Sequence, residues 1–230
     1  TFADDTAVLA SHSDPGIATQ HLQRSINNIQ HWLAKWRIKA NATKSVHVTF
    51  TMKRENCPPI TMNNRMLPQE TSAKYLGLHL DRRLTWKPHI AAKRKQLNLK
   101  FKQLYWLLGQ NSQLSTENKL LVYKTILKPI WTYGIQLWGS TSLSNIEILQ
   151  RFQSKTLRTI VKAPWYVPNK FIHSDLKVRS VREEVTNYSK RYQARLEMHP
   201  NPSAIKLLDN SGEVRRLKRV KPLDLSFRFN

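Results

Sequence analysis

The chain has 230 residues, 40% of them hydrophobic, enough apolar material for a real core and against wholesale disorder. Its 38 Lys and Arg face only 15 Asp and Glu, a formal net charge of +23; that excess points to a polyanionic partner, nucleic acid before membrane. The single cysteine, Cys57, excludes an intrachain disulfide and a multi-cysteine zinc module, and no apolar run reaches the roughly 18–20 residues of a membrane span.

The chain opens on Thr1-Phe2-Ala3-Asp4-Asp5-Thr6-Ala7-Val8-Leu9-Ala10, two adjacent carboxylates in an apolar frame. Phe2 and Ala3, then Ala7, Val8 and Leu9, suit two short buried strands, with Asp4 and Asp5 at the tip of the hairpin between them. Like charges placed side by side call for a compensating cation, and a divalent metal on carboxylate oxygens supplies one. Taken alone, the pair reads as a polar turn before it reads as a metal site. The first residue is not Met and Phe2 already lies in a strand-like pattern, so the expectation is a fragment preceded by more chain.

Ser13-Asp14-Pro15 reads as a helix start, a capping side chain followed by Pro at the first helical position. Leu22, Ile26, Ile29, Leu33 and Trp36 then recur at helical spacing, predicting an amphipathic helix over 15–37. After a turn at 41–44, Val46, Val48 and Phe50 alternate with polar residues, which predicts a half-buried strand. Asn63-Asn64 predicts a hairpin turn. Lys74 to Asp81 is predicted as a further strand, its Gly77 marking a bulge or a close backbone approach. The order of elements predicts an α+β domain, a helix on one face of a largely antiparallel sheet.

From about residue 83 the pattern is helical. A helix opening at Trp86 aligns Ile90, Leu97, Phe101, Leu104 and Leu108 on one face, with Lys87, Lys93, Arg94, Lys95, Lys100 and Lys102 on the other. Ser115 caps the next helix, which Pro129 should break or kink. Residues 130–139 are apolar nearly all round and should be buried. A helix from Ser144 leaves Arg151, Lys155, Arg158 and Lys162 exposed. Ala163-Pro164-Trp165-Tyr166-Val167-Pro168 is a break read as a domain edge. Ser180 and Glu183 make a capping-box pattern before a last helix, which His199-Pro200-Asn201-Pro202 stops. Arg215, Arg216, Lys218, Arg219 and Lys221 make a basic tail. The predicted domains are 1–82, 83–165 and 166–230. The eight histidines are scattered, without a metal spacing.

An aspartate hairpin, a turn lysine before the next strand and a basic bundle together suit nucleotidyl transfer. Two magnesium ions on carboxylates activate a primer 3′-oxygen and stabilise the leaving pyrophosphate, while Lys and Arg grip a duplex backbone without reading its sequence. The order of motifs resembles the reverse transcriptases of non-LTR retrotransposons, the jockey-like group in particular. Phe2-Ala3-Asp4-Asp5 resembles their [YF]-x-D-D motif, Trp36-Arg37-Ile38-Lys39-Ala40-Asn41-Ala42-Thr43-Lys44-Ser45 the block that follows, and Lys74-Tyr75-Leu76-Gly77-Leu78-His79-Leu80-Asp81 the primer-grip block.

The resemblance implies the carboxyl-terminal part of a polymerase palm over 1–82, a thumb-like helical bundle over 83–165 and a helical extension over 166–230. Asp4 and Asp5 become metal and catalytic residues, with Mg²⁺ or Mn²⁺ as cofactor. Lys44 assists proton transfer to pyrophosphate. Phe2, Tyr75, Leu76 and Gly77 lie at the primer, and Lys93, Arg94 and Lys100 on the duplex. The implied partners are an RNA template, a DNA primer, their duplex and, in the intact enzyme, dNTP; no membrane is implied. The first catalytic aspartate, the fingers and an endonuclease domain are expected upstream, so the fragment alone is expected to be inactive. The reading from another class is a non-catalytic basic module that coats RNA or DNA, with Asp4-Asp5 an incidental turn.

Overall fold

The Asp14 carboxylate accepts the N–H of Ile17 at 2.9 Å, and Pro15 opens helix α1, Pro15–Lys35, as the capping pattern predicts. The Ile17 and Gly16 backbone N–H groups hold this carboxyl below its usual range. The structure, a computed structural model, describes residues 5–54, 57–208, 220 and 224–225. Two units divide the chain, Thr1–Leu84 and Thr85–Asn230; the first mixes helix with small antiparallel sheets and the second is helical among the described residues. The α+β class holds at this level.

In the first unit, strands β1 (Thr61–Met62) and β2 (Arg65–Met66) pair antiparallel. Asn63 and Asn64 both have positive φ, 51° and 59°, the conformation of the type I′ turn that their sequence predicts. Helix α1 docks on this hairpin through amides. The Gln23 side chain donates to the Thr61 carbonyl and accepts the Thr61 N–H, each at 2.9 Å, and Gln30 donates to Asn63 Oδ1 at 2.8 Å. A second antiparallel pair joins β3 (Ser72–Tyr75) to β4 (Leu78–Asp81), with Ser72 opposite Asp81 and Tyr75 opposite Leu78. Ile60, Leu67, Leu78 and the ring of His47 form the buried centre.

Three expectations need correction here. Phe2, Ala3 and Asp4 lie outside the described residues, but 6–10 form no strand and Leu9 is 83% exposed; no described segment gives that stretch a ladder. Residues 45–50 form only an isolated bridge, parallel, between His47 and Gln69. His47 donates to the Pro68 carbonyl and accepts from the Glu70 N–H, both at 2.9 Å. This pairing turns His47 inward and leaves Val46 and Phe50 exposed, because neighbouring residues of extended chain face opposite ways. Finally, Lys74–Asp81 is not one strand. It folds back on itself at Leu76-Gly77.

The second unit has the deeper core. Helix α2 (Lys87–Gln103) is followed by the short α3 (Tyr105–Leu108). Ser115 caps α4 (Thr116–Val122), accepting the Asn118 N–H. Pro129 lacks the N–H an α-helix would use, yet the helix does not end before it. The chain widens into a π turn over Tyr123–Leu127 and continues as α5 (Lys128–Thr132). Then come α6 (Ile135–Trp138), α7 (Leu143–Val161), α8 (Asn169–Asp175), α9 (Val181–Glu197) and α10 (Pro202–Ile205). Ser142, two residues before the predicted start, caps α7. The sequence reading missed α8 and α10. Arg215, Arg216, Lys218, Arg219 and Lys221 lie outside the described residues.

Trp131, Ile135 and Trp138 are buried as predicted for 130–139, together with Ile90, Leu97, Leu127, Leu149, Leu157 and Val185; Tyr133 is the exception at 51% exposed. The predicted capping box forms at α9, Ser180 and Glu183 each bonding the other's backbone N–H. Gly139 permits α9 to approach α6, since a Cβ there would meet Val185 Cγ1 at 2.7 Å and the Ile135 carbonyl at 2.6 Å. Lys128 and the buried Glu184 form an ion pair at 2.5 Å. It joins α5 to α9, so helices on both sides of the Ala163–Pro168 break pack together. Inside the core Gln153 donates to the Tyr123 hydroxyl at 3.0 Å and to the Arg179 carbonyl at 2.9 Å. Burial pushes that hydroxyl's pKa far above its ordinary value.

Candidate nucleic-acid interface

In the first unit three of the residues that the sequence singles out, Tyr75, Leu76 and Gly77, lie at the β3–β4 turn. Leu76 has φ 46° and Gly77 φ 74°, so the two form the centre of a type I′ turn between Tyr75 and Leu78. Glycine enters this region without cost, but leucine does not. A γ-branched side chain is therefore held in a sparsely populated conformation at a hairpin tip, the kind of local strain that concentrates where a chain presents itself to a ligand. Tyr75 and Leu76 are half-buried and Gly77 is exposed.

Lys44 ends a 3-10 turn, Ala42–Lys44, and is exposed. Asn41 fixes that turn, its carbonyl side chain accepting the Thr43 N–H at 3.0 Å and the Thr43 hydroxyl at 2.6 Å. Asp5 is exposed; Phe2 and Asp4 lie outside the described residues. Among the described residues no ion pair joins Asp5 to Lys44. Nor does any group of three or more His, Cys, Asp or Glu among them converge to hold a metal ion. The described donors alone do not fit a two-metal centre, which needs several carboxylate oxygens on each ion.

The second unit sorts the three cations assigned to the duplex onto different faces of α2. Lys93, Gln96, Lys100 and Gln103 follow at steps of three and four residues and share one face. Lys93 Nζ stands 5.5 Å from the centroid of the Tyr133 ring. Gln96, Leu99, Lys100 and Gln103, with Ile126 from the π turn and Ile130 from α5, line an open groove of about 400 Å³. Its apolar floor and amide-and-lysine rim offer phosphate-binding charge beside hydrogen-bonding groups. Arg94 sits elsewhere. Its guanidinium lies 5.0 Å from the Phe152 ring centroid and donates to the Ile148 carbonyl at 3.3 Å, so it ties α2 to α7. Burial, and secondarily Arg151, lowers its pKa. The groove residues Gln96, Gln103 and Ile126, and Tyr133 beside Lys93, were not singled out as site residues from the sequence; the three-and-four spacing from Lys93 is the signal that marks the two glutamines.

Over 98% of its length the chain is 41% identical to a probable RNA-directed DNA polymerase from transposon X-element of Drosophila melanogaster. It is 37% identical, over the same share, to the RNA-directed DNA polymerase from mobile element jockey of that species, and 36% identical to the jockey polymerase of Drosophila funebris. Nearly the whole chain is thus similar to a part of these mobile-element polymerases. It spans about 25% of the length of each of these relatives, so the match covers nearly all of this chain and a quarter of theirs. No family model matches the chain, and no solved structure does. The resemblance to jockey-like polymerases read from the three sequence blocks is borne out by these relatives.

Proposed function

We propose that the chain is the carboxyl-terminal part of a non-LTR retrotransposon reverse transcriptase, contributing to RNA-directed synthesis of DNA. In this reading 1–82 completes a polymerase palm, 83–165 is the thumb and 166–230 an extension. The observation that carries it is identity of 36–41% to RNA-directed DNA polymerases across nearly the whole chain, not a match limited to one motif.

Each segment then has a task. Asp4 and Asp5 are the carboxylates offered to Mg²⁺ or Mn²⁺, with further donors from the longer polymerase. Lys44, on its ordered turn, supplies a proton to the pyrophosphate leaving group. The Tyr75-Leu76-Gly77 turn, with Phe2, positions the primer strand; a strained but fixed tip suits placement of a terminus to within a fraction of an ångström. The Lys93–Gln103 face of α2 lies along the RNA–DNA duplex. Lysines meet phosphates there while the glutamines reach the groove, a mode that follows duplex shape and not sequence. Arg94 supports this face from behind by holding α2 to α7.

Primer extension on an RNA template with Mg²⁺ tests the proposal. The 230-residue chain alone is expected to synthesise nothing, and a polymerase of its relatives' length is expected to lose synthesis on Asp4→Ala. Synthesis in that longer protein that persists undiminished in the Asp4→Ala variant would contradict it.

A further inference from the structure

The connection between α7 and α8 carries two of the most exposed aromatic side chains among the described residues. Trp165 is 89% exposed, Tyr166 68%, and Phe171, one turn into α8, 60%. Isolated apolar residues at a surface need no explanation, but three large rings within seven residues form a patch. The loop that carries them is built, not slack. The Arg158 guanidinium reaches out of α7 and donates to the Pro164 carbonyl, to the Val167 carbonyl at 2.7 Å and to Asn169 Oδ1 at 2.8 Å. The Val167 N–H closes the turn on the Pro164 carbonyl at 3.2 Å, and prolines at 164 and 168 restrict the backbone at both ends. These four hydrogen bonds hold the loop while the rings stay exposed. Trp165 and Tyr166 meet edge to face, centroids 6.1 Å apart at 81°.

The surroundings are cationic. Arg151, Lys155, Arg158 and Lys162 follow at steps of four, three and four along one face of α7 toward the loop, and Lys170 lies just beyond it. Arg151, Lys155, Lys162 and Lys170 are exposed. No acidic residue occurs between Glu147 and Asp175. A stripe of positive charge about 16 Å long at the helical rise therefore ends at rigidly presented aromatic rings.

We propose that the Pro164–Pro168 loop, with Phe171 and the α7 stripe, is a binding surface for single-stranded nucleic acid, its phosphates on the stripe and its unpaired bases on Trp165 and Tyr166. Aromatic faces beside a basic track are the recurring solution for holding unpaired bases without regard to sequence. A duplex keeps its bases stacked on one another and offers the rings little. This surface lies on different elements from the Lys93–Gln103 face, and it does not depend on the polymerase reading.

The test uses the 230-residue chain with fluorescein-labelled oligo(rU), oligo(dT) and a hairpin RNA–DNA duplex, followed by anisotropy. The double variant Trp165→Ala/Tyr166→Ala is expected to bind both single strands on the order of tenfold to a hundredfold more weakly, and the duplex within about twofold of the parent. Trp165→Phe/Tyr166→Phe is expected to restore most of the affinity, because it keeps the rings. Both pairs of changes are at exposed positions, and circular dichroism checks that each variant folds. Unchanged single-strand affinity in the alanine variant, or an equal loss for duplex and single strand, would overturn the proposal. So would an alanine variant that loses binding to anionic phospholipid vesicles while keeping that for the oligonucleotides.

Discussion

Helices α1 and α7 are both amphipathic and of similar length, 21 and 19 residues, yet α1 has no buried residue and α7 has eight. The stripe of α1, Leu22 to Leu33, stays half-buried against a two-stranded hairpin, and Trp32 and Trp36 at its end are exposed, their rings 6.2 Å apart. In α7 the equivalent stripe, Ile146, Leu149, Phe152, Leu157 and Ile160, is covered by α2, α4, α8 and α9. The difference teaches that an apolar period states which face of a helix favours burial. Whether that face is covered depends on how many other elements fold against it. Among the described residues the first unit has two small sheets with which to do so, and the second has several packed helices.

Tryptophan deletion should show the contrast most strongly. Trp131→Ala empties a fully enclosed site in the second unit and is expected to cost roughly 3–5 kcal/mol. Trp36→Ala is expected to cost within about 1 kcal/mol, since its ring is already largely in water. Urea unfolding of both variants checks this, and comparable costs would break the comparison. A smaller effect is expected from acid, and it belongs to the first unit. Burial of the His47 ring, whose Nδ1 has no hydrogen-bond partner, lowers its pKa from 6.5. The unfolded chain takes up that proton near 6.5 while the folded one resists. The stabilisation is therefore complete above that value and is lost as pH falls from it toward the lower folded value. His47→Leu is expected to flatten this part of the stability–pH curve, measured as the difference between parent and variant. An unchanged curve would mean that His47 is not the group responsible.

What could be read from the sequence was mostly local. The Asp14, Ser115 and Ser180 caps and the Asn63-Asn64 turn need only near neighbours, and each forms. The Leu76-Gly77 turn was hidden because leucine carries no turn signal, and Tyr75, Leu78 and Leu80 around it continue a strand-like pattern. At 45–50 the alternation was visible, but its direction was not; the bridge that turns His47 inward is made to Gln69, far along the chain. For the candidate interface, the sequence supplied the family resemblance and the basic helix. It could not separate Lys93 and Lys100 from Arg94, whose packing is decided by the position of Phe152 on a helix much later in the chain. The Trp165 loop was legible as a break, while its rigid presentation depends on Arg158 reaching across three partners.

The central claim is that one face of α2 holds a nucleic-acid backbone. The direct measurement is binding of an RNA–DNA duplex by the parent and by Lys93→Ala/Lys100→Ala across a range of salt concentrations. Each lysine–phosphate contact contributes about 0.9 to the slope of log affinity against log salt for a B-form duplex and somewhat less for other geometries. The double variant is expected to bind more weakly and to lose between about one and two from that slope. An unchanged slope with unchanged affinity would contradict the account and place the duplex elsewhere on the chain.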